Sequence, residues 1–220
     1  MFLEGNEMEK RILAVELPAP CPLACGFCRT PEHGVGDAEA VFEAVKSHLA
    51  SGGYDEVYYT GNGEPGLSSI FAPLVELAGQ FGVPVAVLCA TKKSIVPGLV
   101  RAEISINNDT ASSARGAMAA AKEMGVPIVV SMVDDGSNTL DLERVAAEHG
   151  AVGVIVRALQ KEGRSENSAG TTRIFQRVGE FIGLFPAAAY AELRGLANGF
   201  AVTCIGPFGK EVDLLGGAAA

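Results

Sequence analysis

The chain has 220 residues, of which 48% are hydrophobic and none is tryptophan. This length is enough for one domain with a substantial buried core. The formal net charge is −9 at pH 7, and the only basic stretch, over 157–177, is interpreted as a solvated loop and helix face. A protein that binds a phosphate backbone carries a basic patch, so nucleic acid is not an expected partner.

The N-terminal residues contain Glu4, Glu7 and Glu9 where a secretory signal would need basic and then apolar residues. No apolar run in the sequence reaches the length of a membrane span. We therefore expect a cytoplasmic protein with no membrane partner. In that compartment cysteines stay reduced, and they are more often ligands or catalysts than disulfides.

Strand-like and helix-like segments alternate along the chain. Short Val- and Ile-rich runs alternate with Ala-, Glu- and Lys-rich segments, which is typical of βαβ units in a parallel sheet. The predicted strands cover 11–17, 56–60, 84–90, 103–107, 127–133 and 153–157. The predicted helices cover 37–51, 67–81, 93–99, 111–124, 140–149 and 171–185. Segments 200–205 and 210–215 are predicted to form a small hairpin or a β extension.

Six βα units indicate an α/β fold. They are too few for a closed eight-stranded barrel, which needs about 250 residues. A doubly wound open sheet and a partial barrel of six parallel strands both remain, since periodicity does not separate them. We expect one domain over 1–220, with its core at about 11–185 and a C-terminal extension at about 186–215.

Three cysteines follow the first predicted strand in a C-x-x-x-C-x-x-C pattern: Cys21, Cys25 and Cys28. A four-iron cluster normally takes four thiolates, so three thiolates leave one iron open to a ligand that is not protein. A zinc site is the alternative, but structural zinc takes four ligands. His33 is the only near candidate for the fourth. Parallel sheets place their active sites at the carboxyl ends of the strands, which is where this loop lies.

A second motif, Gly61-Asn62-Gly63-Glu64-Pro65, follows the second predicted strand. Glycines let the backbone turn tightly and approach a ligand closely. The turn places Glu64 at the same edge of the sheet as the cysteines. The alternative is a plain strand-to-helix turn with a carboxylate at the start of the helix.

The two motifs, in this order on consecutive strands, resemble the cluster loop and the "GGEP" segment of the radical S-adenosylmethionine (radical SAM) enzymes. The resemblance covers about residues 11–157 and is specific only in these motifs; Asn62 stands where a small residue is commoner. It implies a partial (β/α)6 barrel. It also implies a [4Fe-4S] cluster on Cys21, Cys25 and Cys28, with SAM on the fourth iron and its amino group held by residues 62–64.

The resemblance implies further contacts to SAM from other strand ends. Ser105 and Asn107 end the fourth strand, Ser131 lies near the end of the fifth and Arg157 ends the sixth. They would contact the ribose hydroxyls, the carboxylate and the adenine, and Phe27 would pack on the adenine ring. The alternative is that polar strand ends meet solvent and that Phe27 only anchors its loop.

The implied activity is reductive cleavage of SAM, followed by hydrogen abstraction from a substrate by the 5′-deoxyadenosyl radical. It requires an electron donor such as flavodoxin or ferredoxin. The substrate is a small molecule or a partner protein such as a glycyl-radical enzyme. A non-catalytic iron–sulfur or zinc-binding protein is the alternative from another class.

Two further cysteines, Cys89 and Cys204, are expected to be small buried hydrophobic residues. Two thiols are too few to build a second four-iron cluster. Cys89 lies near the end of the third predicted strand, and a role as a hydrogen donor to a substrate radical is open for it. The other residues of catalysis are not identified by the sequence.

Overall fold

Strands and helices alternate along the described part of the chain. The structure is a computed structural model that describes residues 10–23, 25, 28, 33–134, 139–158, 173–176 and 200–211. Their helices and strands are β1 (Lys10–Pro18), α1 (Ala38–Ser51), β2 (Glu56–Asn62), α2 (Phe71–Gln80), β3 (Val85–Cys89), β4 (Leu99–Ser105), α3 (Ala111–Glu123), β5 (Ile128–Asp134), α4 (Leu142–His149), β6 (Gly153–Ala158), β7 (Arg173–Gln176) and β8 (Phe200–Ile205). Short 3₁₀ helices lie at Pro65–Leu67, Lys92–Ser94 and Asn108–Thr110.

The strands form one sheet in the order β7-β6-β5-β4-β3-β2-β1-β8. Every neighbouring pair from β8 to β6 is parallel, and only β7 runs antiparallel to its neighbour β6. β7 and β8 lie at opposite edges, so the sheet is open. The predicted α/β fold with the parallel strands of a partial barrel is confirmed.

The four helices pack on one face of the sheet. Their buried residues join a single apolar cluster with strand residues such as Leu13, Val15 and Tyr59. Successive side chains of a strand point to opposite faces, so Ile12 and Tyr58 lie on the other face, which we call the inner face. The fold therefore separates an apolar layer under the helices from an inner face that is available for chemistry.

The inner face carries buried polar pairs. The Arg101 guanidinium forms an ion pair with the Glu56 carboxylate, and both side chains are buried. The Tyr58 hydroxyl donates to Glu103 Oε2 at 3.0 Å. A buried charge is tolerated only when it is paired and hydrogen-bonded, and these contacts provide the pairing.

Aspartate side chains cap the starts of two of the described helices. Asp37 Oδ1 accepts from Ala40 N at the start of α1, and Asp141 Oδ1 accepts from Arg144 N at the start of α4. Gly150 ends α4 in the left-handed conformation. None of the described helices combines the length and the apolar character that a membrane span requires.

Two of the predicted helices differ from the structure. Within the predicted helix 171–185, residues 173–176 form β7, which pairs with the edge of β6; residues 177–185 lie outside the described part. An unpaired strand edge accepts a further strand, and this tertiary pairing overrides the local helical spacing. The predicted helix 93–99 is a single 3₁₀ turn at Lys92–Ser94, and β4 begins at Leu99 instead of Glu103.

The C-terminal strand also pairs differently from the prediction. β8 forms at the predicted residues, but it extends the sheet as a parallel neighbour of β1. The predicted hairpin partner is reduced to one antiparallel bridge between Ile205 and Glu211, and residues 212–215 lie outside the described part. The edge of β1 provides a longer ladder than a local hairpin, so the strand adds to the main sheet.

Candidate active site

The cysteine loop, residues 21–28, is described at residues 21–23, 25 and 28, and its start lies beside the glycine turn, residues 61–65, at the carboxyl edge of the sheet. β1 and β2 are paired in register up to Pro18 and Asn62. Beyond that pair, Glu64 N donates to Pro20 O at 3.1 Å. The backbone hydrogen bond joins the start of the cysteine loop to the glycine turn, so the two motifs form one site.

The three thiols of the cysteine loop lie in a common electrostatic environment. Burial raises the pKa of the Cys25 thiol to about 11, and the neighbouring Cys21 and Cys28 contribute to this rise, as does Asp109. Cys28 N donates to Cys25 O at 3.2 Å, which closes a tight turn between these two cysteines. The three sequence-predicted thiols are thus close enough to influence one another electrostatically, and their role as ligands stays a prediction.

The case for a metal at the cysteine loop rests on the chemistry of its donors. Within the described residues, no three His, Cys, Asp or Glu side chains are gathered into a set that could hold a metal ion. All five cysteines of the chain are described, and none forms a disulfide. Since burial and repulsion favour the protonated Cys25 thiol, binding of a metal to it must release a proton. Thiols are the ligands that iron–sulfur clusters use, so the donor set fits such a cluster.

Glu64 is the best-connected residue of the glycine turn. Its side chain is only 3% exposed. Oε1 accepts from Thr91 N at 3.2 Å and from the hydroxyls of Thr91 and Ser94, while Oε2 accepts from Ala90 N at 3.0 Å. Burial raises the pKa of Glu64, and these hydrogen bonds oppose the rise. The carboxylate therefore holds the segment after β3 against the turn; a contact from it to SAM stays a prediction.

Close contacts with neighbouring backbone require glycine at two positions of the turn. Gly63 has φ +137°, and a Cβ there would overlap the carbonyl oxygen of Ala19. A Cβ on Gly61 would overlap the backbone of Gly63. The space that the sequence suggested for a ligand is thus filled, at these two positions, by neighbouring backbone. Asn62 is placed only through its backbone in β2.

Buried polar atoms without partners lie at the next strand ends. Ser105 of β4 and Ser131 of β5 are paired neighbours, and both lie on the inner face. In the described part of the chain, Ser131 Oγ and Asn107 Nδ2 are buried with no hydrogen-bond partner. Asn107 Oδ1 accepts from Val133 N at 3.4 Å. Leaving such a group unpaired costs about 1–3 kcal/mol, so these atoms suit the hydroxyl or amide groups of a bound ligand.

Two other predicted contacts fall on side chains that are not described. Arg157 pairs with Val133 in the ladder between β5 and β6, and only this backbone position is known. Phe27 lies outside the described residues. Their contacts with SAM stay predictions.

Cys89 is 4% exposed and belongs to the apolar cluster under the helices. Burial raises the pKa of its thiol, and the carboxylates of Glu64 and Glu103 raise it further. Cys204 is also buried. These positions favour structural roles, and the hydrogen-donor role of Cys89 stays a prediction.

Sequence reasoning missed several residues of the site. Thr91 and Ser94 are the hydroxyl partners of Glu64, and their T-x-x-S spacing after a strand was the available signal. Asp109 lies close enough to Cys25 to influence its pKa. It lies two residues after the predicted strand-end residue Asn107, yet its proximity to the cysteines depends on the tertiary fold.

Comparison with family models finds no match, and neither does comparison with curated proteins. Solved structures do match. Streptococcus suis SuiB bound to precursor peptide SuiA aligns with a TM-score of 0.65 and 12% identity over 93% of this chain and 59% of SuiB. Native anSMEcpe with bound AdoMet and Cp18Cys peptide aligns with a TM-score of 0.51 and 16% identity over 72% of this chain and 55% of that protein.

The chain therefore spans less than two thirds of the length of either protein. At such low identity the likeness concerns the fold. SuiB and anSMEcpe are radical SAM enzymes, and this chain has the fold of radical SAM enzymes.

Proposed function

We propose that this protein is a radical SAM enzyme. The observation that carries the proposal is the junction of the cysteine loop with the glycine turn through Glu64 N and Pro20 O. It lies at the carboxyl edge of a sheet whose fold matches radical SAM enzymes. In parallel sheets this edge is where ligands bind.

Cys21, Cys25 and Cys28 would hold a [4Fe-4S] cluster. When bound, the cluster supplies the electron that cleaves the carbon–sulfur bond of SAM, so that a 5′-deoxyadenosyl radical can take hydrogen from the substrate. The three cysteines are half-buried, so part of the solvent is kept from their thiols. Burial lowers the local dielectric constant and keeps competing hydrogen-atom donors, such as solvent components, away from the site.

The inner face would bind SAM beside the cysteine loop. Ser131 Oγ and Asn107 Nδ2 are buried polar atoms in need of a partner, and Ser105 lies beside Ser131; we assign these three residues to the hydroxyls of the ribose. The turn at residues 62–64, with the Glu64 carboxylate, would hold the amino group. Glu64 supports this turn from behind through its contacts to Thr91 and Ser94. Arg157 and Phe27 would contact the carboxylate and the adenine.

The proposed activity needs an electron donor such as flavodoxin or ferredoxin. For the substrate, we favour a peptide or a segment of a partner protein. SuiB is bound to a precursor peptide and anSMEcpe to a peptide in the matching structures, which supports this choice. A small molecule is the other substrate class.

Anaerobic reconstitution with iron and sulfide tests the proposal. The protein should take up about four irons per chain, and dithionite with SAM should yield 5′-deoxyadenosine. Cys25→Ser should lose both the iron and the product. The matched control is the double variant Cys89→Ala and Cys204→Ala, which should keep both. Stoichiometric zinc with no capacity for iron would instead identify a zinc protein.

A further inference from the structure

A histidine contacts the last cysteine of the loop. The His33 ring lies in the segment that returns from the cysteine loop to α1, and its Nε2 is 3.8 Å from Cys28 Sγ. Both residues are half-buried, so water competes only in part for this contact. The distance is within range for a hydrogen bond to sulfur.

The contact joins a nitrogen that can carry a proton to a sulfur that becomes a thiolate when it binds iron. Hydrogen bonds to an ionised acceptor are stronger than neutral ones. Outer-shell donors to a ligand atom tune the metal, and hydrogen bonds to the sulfurs of an iron–sulfur cluster help to set its reduction potential. A hydrogen-bond donor withdraws electron density from the sulfur, and this favours the reduced state of the cluster.

We propose that His33 is a positioning residue whose Nε2–H donates to the Cys28 thiolate, orients it and raises the reduction potential of the cluster. The proposal rests on the proposed function. It requires the tautomer with the proton on Nε2. It assigns His33 to the outer shell because three thiolates and a bound SAM complete the four irons without it.

The electrostatic surroundings of Cys25 and Cys28 then differ. Burial is the main cause of the raised pKa of the Cys25 thiol, and the negative charge of Asp109 adds to the rise. His33 acts on Cys28 as a donor. The two influences have opposite signs, so removal of the donor should shift the potential in one defined direction.

Three variants of His33 test the proposal. His33→Ala and His33→Phe remove the donor, and Phe keeps an aromatic ring; His33→Gln keeps an N–H. The control is His149→Ala, which removes a histidine that contacts Arg115 between α3 and α4. Each protein is reconstituted anaerobically, its iron is counted, and its midpoint potential is measured by a redox titration followed by electron paramagnetic resonance.

Ala and Phe should keep the wild-type iron content and shift the midpoint potential to more negative values. Gln should restore most of the shift, and His149→Ala should match the wild type. An unchanged potential in both donor-free variants would overturn the proposal. So would loss of iron from Ala, Phe and Gln alike in correctly folded protein, since His33 would then be a ligand. If wild-type protein binds no iron at all, the proposed function itself fails.

Discussion

At the scale of single residues, the Glu64 carboxylate is the centre of a buried hydrogen-bond cluster. It accepts from Ala90, Thr91 and Ser94, and Ser94 Oγ in turn accepts from Gly66 N at 2.7 Å. The donors to Glu64 all lie in the segment after β3, and the Gly66–Ser94 hydrogen bond links that segment back to the glycine turn. A buried cluster of this kind is costly to break, because each donor left without a partner loses its hydrogen bond.

Substitution Glu64→Gln should lower the stability of the apoprotein. The amide places an N–H₂ group where one carboxylate oxygen accepts, so a donor faces a donor. We expect a loss of about 1–3 kcal/mol in the free energy of unfolding at pH 7, measured by urea denaturation. The control Glu76→Gln, on an exposed position of α2, should change it by less than about 0.5 kcal/mol. Equal stabilities of the wild type and Glu64→Gln would show that the Glu64 carboxylate does not hold the segment after β3 against the glycine turn.

Cys25 allows a prediction about pH. Its pKa of about 11 lies above the ordinary value of 9.0, so less thiolate is present at neutral pH than in an unperturbed cysteine. The thiolate is the reactive form. In metal-free, reduced protein, iodoacetamide should modify Cys25 slowly, and the rate should rise by about tenfold per pH unit between about pH 7 and pH 10.

Mass spectrometry after timed quenching measures this rate for Cys25 peptides. Asp109→Asn removes a negative charge that raises the pKa, so it should speed modification of Cys25 at any pH in this window. A rate that already levels off near pH 9, the ordinary pKa of a cysteine, would show that the thiol is not perturbed in the stated direction.

At the scale of elements, the sequence predicts the strands that carry the site. β1, β2, β5 and β6 form within a few residues of their predicted bounds, because apolar runs between turn signals leave few alternatives. The sequence pattern also places the cysteine loop and the glycine turn at one edge, since both follow parallel strands.

The edges of the sheet are less predictable. Residues 173–176 have a spacing that also fits a helix, and they become a strand by pairing with β6. β8 pairs with β1, which lies about 190 residues earlier in the chain. Pairing across such distances depends on which edges the folded sheet leaves open, and no local pattern records it. For the same reason the partners of Glu64 are known only from the structure.

The glycine turn gives a prediction at this scale. A Cβ on Gly63 would overlap the Ala19 carbonyl oxygen, and φ there is +137°, so Gly63→Ala forces the turn away from the cysteine loop. We expect a loss of more than about 2 kcal/mol in the free energy of unfolding. Gly79→Ala in α2, where nothing lies within 4 Å, should instead stabilise by about 0.5–1 kcal/mol.

Both changes are read from urea denaturation of apoprotein, so no cofactor is involved. A small loss in Gly63→Ala, similar in size to ordinary surface changes, would mean that the turn can rearrange without the cysteine loop. The close packing of Gly63 against Ala19 would then not be needed to join the two motifs.

At the scale of the whole molecule, the C-terminal segment supports the cysteine loop from the edge of the sheet. β8 pairs with β1, which leads into that loop. In the turn after β8, Pro207 O accepts from Asp37 N at 2.8 Å, next to the point where α1 begins. Residues 170 positions apart in sequence thereby fix the point where α1 starts, after the cysteine loop.

Gly209 makes this support testable. Gly209 has φ +71°, and a Cβ there would overlap the carbonyl oxygen of Ala40 in α1. Gly125, after α3, has nearly the same conformation, φ +68°, with nothing within 4 Å. Ala at either position carries the same backbone strain, about 1 kcal/mol, but only Gly209→Ala also pushes the turn off α1.

Gly209→Ala should therefore lose more stability than Gly125→Ala, and hydrogen exchange should quicken in the first turn of α1. The same variant should take up less iron on reconstitution, because residues 36 and 37, which connect the cysteine loop to α1, lie against this turn, whereas Gly125→Ala should take up the wild-type amount. Equal losses of stability in the two variants, with equal iron, would show that the C-terminal turn rests on α1 without supporting the loop. Unequal stability with equal iron would confine its effect to the helix, so iron uptake is the decisive measurement.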